Sequence, residues 1–360
     1  MPKILFVAAH RKNRSPSQRF RFEQYIDFLK EQGFDSELSY LIEQEDDKRF
    51  YSPGNYFHKL KVLLRSFKRR KKDLKNIDQY DIIFIQREAF MTGSIKFETA
   101  YSKSKAKVVF DFDDSIWLSN VSEANKKLKF LKDADKTSKI IALSDMIFAG
   151  NQFLSDYASA FNKNIRIVPT TIDLNEYNRI PSEKNDKICI GWSGSVTTIQ
   201  HFEFAIPFLL KIKEKYGDKV EFGVIGDGNY IHEELGIQGK PWIFADEIKE
   251  LSKFDIGIMP LPNDKWASGK CGLKGLQYMA LEIPTIMSPV GVNGEIIEHG
   301  VNGYLASELE EWVASISALI ESEELRKSMG ERARKTVKDS YSVESQKGNY
   351  VKFLSELIED

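Results

Sequence analysis

Short apolar runs alternate with segments of helical period along the whole of this chain, and that alternation narrows the possible folds more than any other feature. Lys3–Ala8, Asp81–Gln86, Lys107–Phe112, Met146–Ala149 and Ile165–Val168 predict strands buried on both faces. The pattern restarts with Lys187–Trp192, Val220–Ile225, Trp242–Phe244, Asp255–Met259 and Thr285–Met287. Strands and helices that alternate in this way form parallel, doubly wound sheets. Between the two series lies PTTIDLNEYNRIPSEKND, polar, bracketed by Pro169 and Pro181 and keeping neither period, which places a domain joint there. The expected organisation is therefore α/β, with one domain over 1–170, a second over 171–341, and a cleft between them. After Glu308 the chain is almost wholly helical, with more helices than the last sheet needs, and the final one, 342–360, is expected to cover the first domain.

Composition removes several classes. With 42% hydrophobic and 29% charged residues over 360 positions, the chain is neither disordered nor fibrous, and two cysteines cannot build a disulfide scaffold. Cys189 and Cys271 lack zinc-site spacing and read as small core residues. The apolar start MPKILFVAAH is too short for a signal peptide, and no later run approaches the roughly 18–20 apolar residues that span a bilayer, so a cytoplasmic protein is expected. Charge is uneven: residues 1–180 carry 32 Lys and Arg against 24 Asp and Glu, and 181–360 carry 20 against 29. A basic first half suits an anionic partner such as a membrane surface or a phosphorylated acceptor.

Three stretches carry chemistry in the second half. ICIGWSGSVTTIQHFEF joins a buried strand to a helical run through Gly191, Ser193, Gly194 and Ser195, small residues that let backbone N–H groups approach a phosphate. A second strand ends in Gly226-Asp227-Gly228, at the carboxyl edge where open sheets bind ligands. In MPLPNDKWASGKCGLKGLQYMALEIPTIM a strand runs into a loop rich in Pro, Gly and Lys, and Lys270 and Lys274 fall one turn apart at the start of the next helix. Two cations at a helix start form a site for a diphosphate that needs no metal ion. For each of these the alternative is structural: a tight turn packed for its own sake, or a solvated pair of lysines.

In order and content these residues resemble glycosyltransferase family 4, whose fold is GT-B, two Rossmann-like domains. The resemblance rests on VPTTIDLNEY at Val168–Tyr177, the GDG at 226–228, and YMALEIPTIMSPVG followed by GEIIEHGVNGYLA. It implies sugar transfer from a nucleoside diphosphate donor with retention of configuration, to a glycan or lipid-linked acceptor, without a metal cofactor. The donor would lie on the second domain and the acceptor would face the first. The chain departs from the family at three places. The two Glu of the donor helix match Gly269 and Gln277, of which Gln277 can still bind a ribose hydroxyl. The Arg and Lys after the first strand of the second domain fall near Trp192 and Thr198, a gap that Lys270 and Lys274 would fill. GWSGS and KCGLK are similar to those of a subset of the family.

The third departure is KVVFDFDDSIWL, where Asp113 takes the place of the family's His and, with Asp114, becomes the candidate catalytic acid, as a polar clamp or a general base. The same strand end supports rival readings: a cap on the next helix, a metal-binding Asp-x-Asp, or a haloacid-dehalogenase-type phosphatase with Asp111 as nucleophile and Asp113 as acid/base. A sugar-nucleotide-binding protein without catalysis is a further alternative, motivated by the missing Glu, Arg and Lys. In the first domain RKNRSPSQRFRFEQYIDFL is a basic loop entering an amphipathic helix, and His10, Arg11, Arg19 and Arg21 are candidates for meeting donor phosphates or an anionic acceptor. KLKVLLRSFKRRKKDLK, over 59–75, puts Leu60, Leu63, Leu64 and Phe67 on one face among nine basic residues, the signature of a helix lying on a membrane. The same pattern fits packing on the sheet. Stacking aromatics or a recognised module for nucleic acid are not found.

Overall fold

The computed structural model describes residues 1–118, 133–181 and 186–359. Residues 182–185 of the expected joint and Asp360 of the expected last helix lie outside these. The chain forms two compact units, Met1–Pro169 together with Lys347–Asp360, and Thr170–Gln346.

The first unit is built on β1 (Lys3–Val7), β2 (Asp35–Ser39), β3 (Ile82–Gln86), β4 (Lys107–Phe112), β5 (Met146–Ala149) and β6 (Ile165–Ile167). These form one sheet in the order β2-β1-β3-β4-β5-β6, every pair parallel. The central strands are mostly apolar because helices cover both faces, and Ile82–Ile85 have no exposed surface. The last helix, Val343–Glu359, packs on this sheet from Lys347 onward. Its Tyr350 stacks on Tyr25 with ring centres 4.2 Å apart and donates its hydroxyl to the Arg21 carbonyl at 2.6 Å.

The second unit holds β7 (Ile188–Ser193), β8 (Val220–Gly226), a small hairpin of β9 (Ile231–His232) and β10 (Ile237–Gln238), β11 (Lys240–Pro241), β12 (Ile256–Met259), β13 (Thr285–Met287) and β14 (Tyr304–Leu305). Its main sheet is again parallel, in the order β11-β8-β7-β12-β13-β14. The core gathers Trp192, Phe202, Phe208, Ile256, Ile286 and Trp312, with Phe208 and Trp312 stacked at 4.5 Å. Cys189 and Cys271 are buried and unbridged.

One expected strand is absent. Trp242–Phe244 follows the two-residue edge strand β11 and passes into a 3-10 turn at Phe244–Asp246. Its apolar residues do not enter the sheet, since Ile243 is 51% exposed, and the Trp242 indole N–H instead donates to Glu247 at 2.8 Å.

The helix Tyr56–Lys75 also divides differently from its pattern. Val62, Ser66, Arg70 and Asp73 form its buried face, with Phe67 turned edge-on to Phe97 at 5.3 Å. Arg70 anchors it, donating to the carbonyls of Ala89 at 2.6 Å and Ala8 at 2.8 Å and pairing with Asp73. Phe57, Leu60 and Leu64 face outward, 85%, 52% and 57% exposed, and the exposed row continues through Lys68, Lys71, Lys72 and Lys75. Among the described residues, no helix is long and apolar enough to cross a membrane.

Candidate functional site

In each sheet one strand pairs with neighbours that the chain reaches in opposite directions, and crevices open at the carboxyl ends of such strands. In the second unit that strand is β7, lying between β8 and β12. Its last residue, Ser193, is held from behind. β12 carries Gly257, and a side chain there would collide with the Tyr278 ring, so the ring lies directly on the strand. The Tyr278 hydroxyl then accepts from the Ser193 N–H at 2.7 Å and shares a hydrogen bond with its Oγ at 3.0 Å. Ser193 is buried and bonded to Tyr278 through both its N–H and its Oγ, and so fixes the start of the loop.

The loop after it is also more self-contained than its small residues imply. The Gly194 N–H donates to the Ile225 carbonyl at 2.8 Å and the Ser195 N–H to Thr198 Oγ1 at 2.9 Å. The two amides expected to cradle a phosphate are thus already satisfied, which corrects that assignment for Gly194 and Ser195. The N–H groups of Val196 and Thr197 make no hydrogen bond among the described residues. Gly226 closes the loop from the β8 side: its φ is +131°, and a Cβ there would stand 2.5 Å from the Gly194 carbonyl oxygen. Asp227 turns its carboxylate onto the Asn229 N–H at 2.9 Å, while Gly228 packs on Pro241.

Across the loop lie the two lysines. Lys274 is in the first turn of the helix Leu273–Ala280, with Nζ 5.4 Å from the centre of the Trp192 ring, and Lys270 stands 5.0 Å over Trp266. Both ammonium groups are near His201, in the helix Ile199–Glu203, a residue that no pattern in the chain singles out. Burial, then the charges of Lys274 and Lys270, lower the His201 pKa to about 4. Lys270 and Lys274 thus bring two positive charges near His201, with Lys274 beside the Trp192 ring, in one basic cluster at the end of β7.

Gln277 lies deeper. Its amide donates to the Tyr177 hydroxyl at 2.7 Å and to Glu247 Oε1 at 3.2 Å, and Tyr177 itself donates to Glu247 Oε2 at 2.6 Å. With Trp242 on Oε1 as well, this buried network ties together the joint segment, the helix Glu247–Leu251 and the helix of Lys274. Both N–H donors of Gln277 are therefore engaged inside the protein. Glu247 places a carboxylate beside position 277, where the sequence lacks one.

In the first unit the switch-point strand is β1, between β2 and β3. Arg21 does not lie in an open basic loop. Its guanidinium and the Asp111 carboxylate have no exposed surface, and Nε donates to Oδ1 at 3.1 Å and Oδ2 at 3.3 Å while Nη1 reaches the Val168 carbonyl. This corrects two expectations: Arg21 is not available to a phosphate, and Asp111 is not available as a nucleophile. Arg11 and Arg14 both pair with Asp47, at 2.8 and 2.9 Å, and Arg19 is buried over the Phe20 ring. His10 shares a hydrogen bond with the Tyr51 hydroxyl at 3.2 Å, and burial followed by the charge of Arg14 lowers its pKa to about 4.

Asp113 and Asp114 follow β4. Asp113 accepts from Arg87 at 2.8 Å, and Arg87 comes within 3.9 Å of Asp114. Burial acts against the Arg87 charge, but Asp113 and Asp114 outweigh it and hold the guanidinium pKa above its usual value. Arg87 follows β3 with φ +62°, a left-handed conformation uncommon for an arginine, and its N–H bonds to the Asp111 carbonyl at 2.8 Å. Sequence reasoning passed over it, although an arginine directly after a buried strand was a visible signal. Among the described residues no three His, Cys, Asp or Glu side chains gather as a cation site.

Known proteins sharpen these observations. Residues 187–322 match the family described as glycosyl transferases group 1. An uncharacterized glycosyltransferase of Methanocaldococcus jannaschii is 23% identical over 311 residues, 79% of this chain and 77% of its own. N-acetyl-alpha-D-glucosaminyl L-malate synthase of Bacillus anthracis is 34% identical over 91 residues, a quarter of this chain and 24% of its own. Among solved structures, sucrose-phosphate synthase from Thermosynechococcus elongatus superposes with a TM-score of 0.69 at 11% identity, covering 100% of both chains. Anabaena HepE, solved with UDP and glucose, gives 0.68 at 16% identity over 99% of this chain and 100% of its own. The chain thus has the GT-B fold, and residues 187–322 of its second unit are similar to group 1 glycosyl transferases.

Proposed function

We propose that this protein transfers a sugar, with retention of configuration and without a metal ion, from a nucleoside diphosphate donor to a hydroxyl of a glycan or lipid-linked acceptor. The observation that carries the reading is the basic cluster of Lys270, Lys274 and His201 at the end of β7, inside the segment that matches the group 1 family. In the reaction the bond from the anomeric carbon to the diphosphate oxygen breaks, a bond to the acceptor oxygen forms, and the acceptor loses its proton. Charge builds on the departing diphosphate, and fixed cations that await it lower the barrier without reorganising. Lys270 and Lys274 supply them, with the N–H groups of Val196 and Thr197 as further donors. That HepE has been solved with UDP-glucose supports a nucleotide sugar as the donor.

In the first unit, Asp113 is the proposed acceptor-side residue. A carboxylate already bonded to Arg87 is fixed in place and suited to accept from a sugar hydroxyl and orient it, with Asp114 beside it. The outward row of the helix Tyr56–Lys75 is the proposed membrane contact: Phe57, Leu60 and Leu64 enter the interface while the lysines meet anionic headgroups. On this reading the protein works in the cytoplasm, at the inner face of a membrane. A non-catalytic nucleotide-sugar binder is the second reading, favoured by the engagement of Gln277 inside the protein.

Thermal-shift measurements with nucleoside diphosphates and their sugar conjugates, with and without a chelator, test the proposal. Stabilisation by one nucleotide series that survives the chelator, and is lost in Lys274→Ala, is the expected result. Stabilisation only with a divalent cation, or an unchanged response in Lys274→Ala, refutes the site. Release of free nucleoside diphosphate separates the transferase from the binder.

A further inference from the structure

We propose that His201 is a ligand of the donor's diphosphate, donating through Nδ1 as an imidazolium that forms when the anion binds. This deepens the donor reading above and rests on it. His201 is only 4% exposed, yet its Nδ1 makes no hydrogen bond among the described residues. Buried polar atoms in folded proteins are nearly always bonded, and one that is not calls for an explanation, a missing ligand among them. The ring belongs to the short helix that follows the 194–198 loop, and its backbone N–H bonds to the Thr198 carbonyl of that loop at 2.9 Å.

The charges facing it come from three places. Lys274 belongs to the helix Leu273–Ala280 and Lys270 to the loop before it, and Asp264, the cap of the helix Lys265–Ser268, contributes the one opposing charge. Burial, with two cations against one anion, keeps the ring neutral in the free protein, at a pKa of about 4. A diphosphate brings two negative charges and reverses that balance. The ring then takes one proton from the solvent, and its Nδ1–H closes on a phosphate oxygen. Nothing else is transferred. By linkage, a group whose pKa is higher in the complex than in the free protein strengthens binding as the pH falls between the two values.

The test is isothermal titration of the full chain with UDP-glucose and with GDP-mannose, in two buffers of different ionisation enthalpy, between pH 5 and pH 8. The diphosphate of such sugar nucleotides does not titrate in this range, so proton uptake reports the protein. Wild type is expected to take up close to one proton near pH 5.5, with affinity falling by up to about tenfold from pH 5 to pH 6. His201→Asn, which keeps a neutral donor near the Nδ1 position, and His201→Gln, which keeps more of the bulk, are expected to bind with no such uptake and a flatter pH profile. Binding without proton uptake in wild type, or uptake that persists in both variants, overturns the role of His201 and leaves the donor site standing. Failure of both sugar nucleotides to bind overturns the donor reading and this proposal together.

Discussion

Replacing Arg21 by Met tests whether that arginine is a ligand-binding group or an internal strut. The substitution keeps an unbranched side chain of similar reach but removes the charge that answers Asp111. Both side chains have no exposed surface, so water cannot replace the lost partner. Asp111 would forfeit the donors Nε, at 3.1 and 3.3 Å, and Nη2, at 2.5 Å, and the Val168 carbonyl would forfeit Nη1. Breaking a buried pair by removing one member destabilises by about 3–5 kcal/mol, because the survivor is left charged and desolvated. For a unit of this size each kcal/mol moves Tm by about 2–4 °C, so a fall of roughly 6–20 °C is expected. Adding Asp111→Asn removes the stranded charge and should restore a large part of that loss. Scanning calorimetry of wild type, Arg21→Met and the double variant, each with and without a nucleoside diphosphate, gives the answer. A fall under about 2 °C, or no recovery in the double variant, would refute the strut.

Tyr278→Phe leaves the buried Ser193 N–H without its acceptor, at a cost of about 1–3 kcal/mol, and loosens the loop. A chemical unfolding midpoint equal to wild type would count against the loop's being held from behind. Acidification from pH 6.5 toward pH 4 should destabilise the protein through His10 and His201, since folded rings titrate at about 4 while unfolded ones titrate near the ordinary 6.5. In that window the unfolded chain binds more protons, so the difference in Tm between wild type and His201→Asn should narrow or reverse as the pH drops; a constant difference contradicts the shift. Charge reversal at Lys68, Lys71 and Lys72 should release the protein from vesicles rich in anionic lipid, and Phe57→Ser should weaken the same binding at high salt, where the lysines are screened. Sedimentation with vesicles that is unchanged in both variants removes the membrane contact.

The central strands could be read from sequence because a strand covered on both faces is apolar over most of its length, as Ile82–Ile85 are. Edge strands escape that constraint. β2, with the sequence DSELS, is half exposed and carries no apolar run, while Trp242–Phe244 is apolar yet stays outside the sheet because Pro241 ends the edge strand and Trp242 turns to Glu247. The candidate site divides along similar lines. The spacing of Lys270 and Lys274 follows from helical geometry, which sequence carries, whereas the pairing of polar groups across elements does not. Arg11 and Arg21 look alike in one basic loop, and only the fold brings Asp47 to the first and a fully buried Asp111 to the second.

The same distinction bears on what a missing motif residue means. Position 277 is Gln, and by sequence alone that reads as the loss of a charge from the donor helix. In the fold Glu247, thirty positions earlier, stands 3.2 Å from the Gln277 amide and accepts as well from Tyr177 and Trp242. With its carboxylate bonded by three side chains of its own unit, Glu247 orders the joint segment and the helix Leu273–Ala280 together. A Glu at position 277 would set a second carboxylate against this one in a buried place, where two like charges at such a distance destabilise each other and one would have to take a proton. Gln277 is therefore the residue that this packing requires, and restoring the family's Glu there would damage the unit before it could help the chemistry.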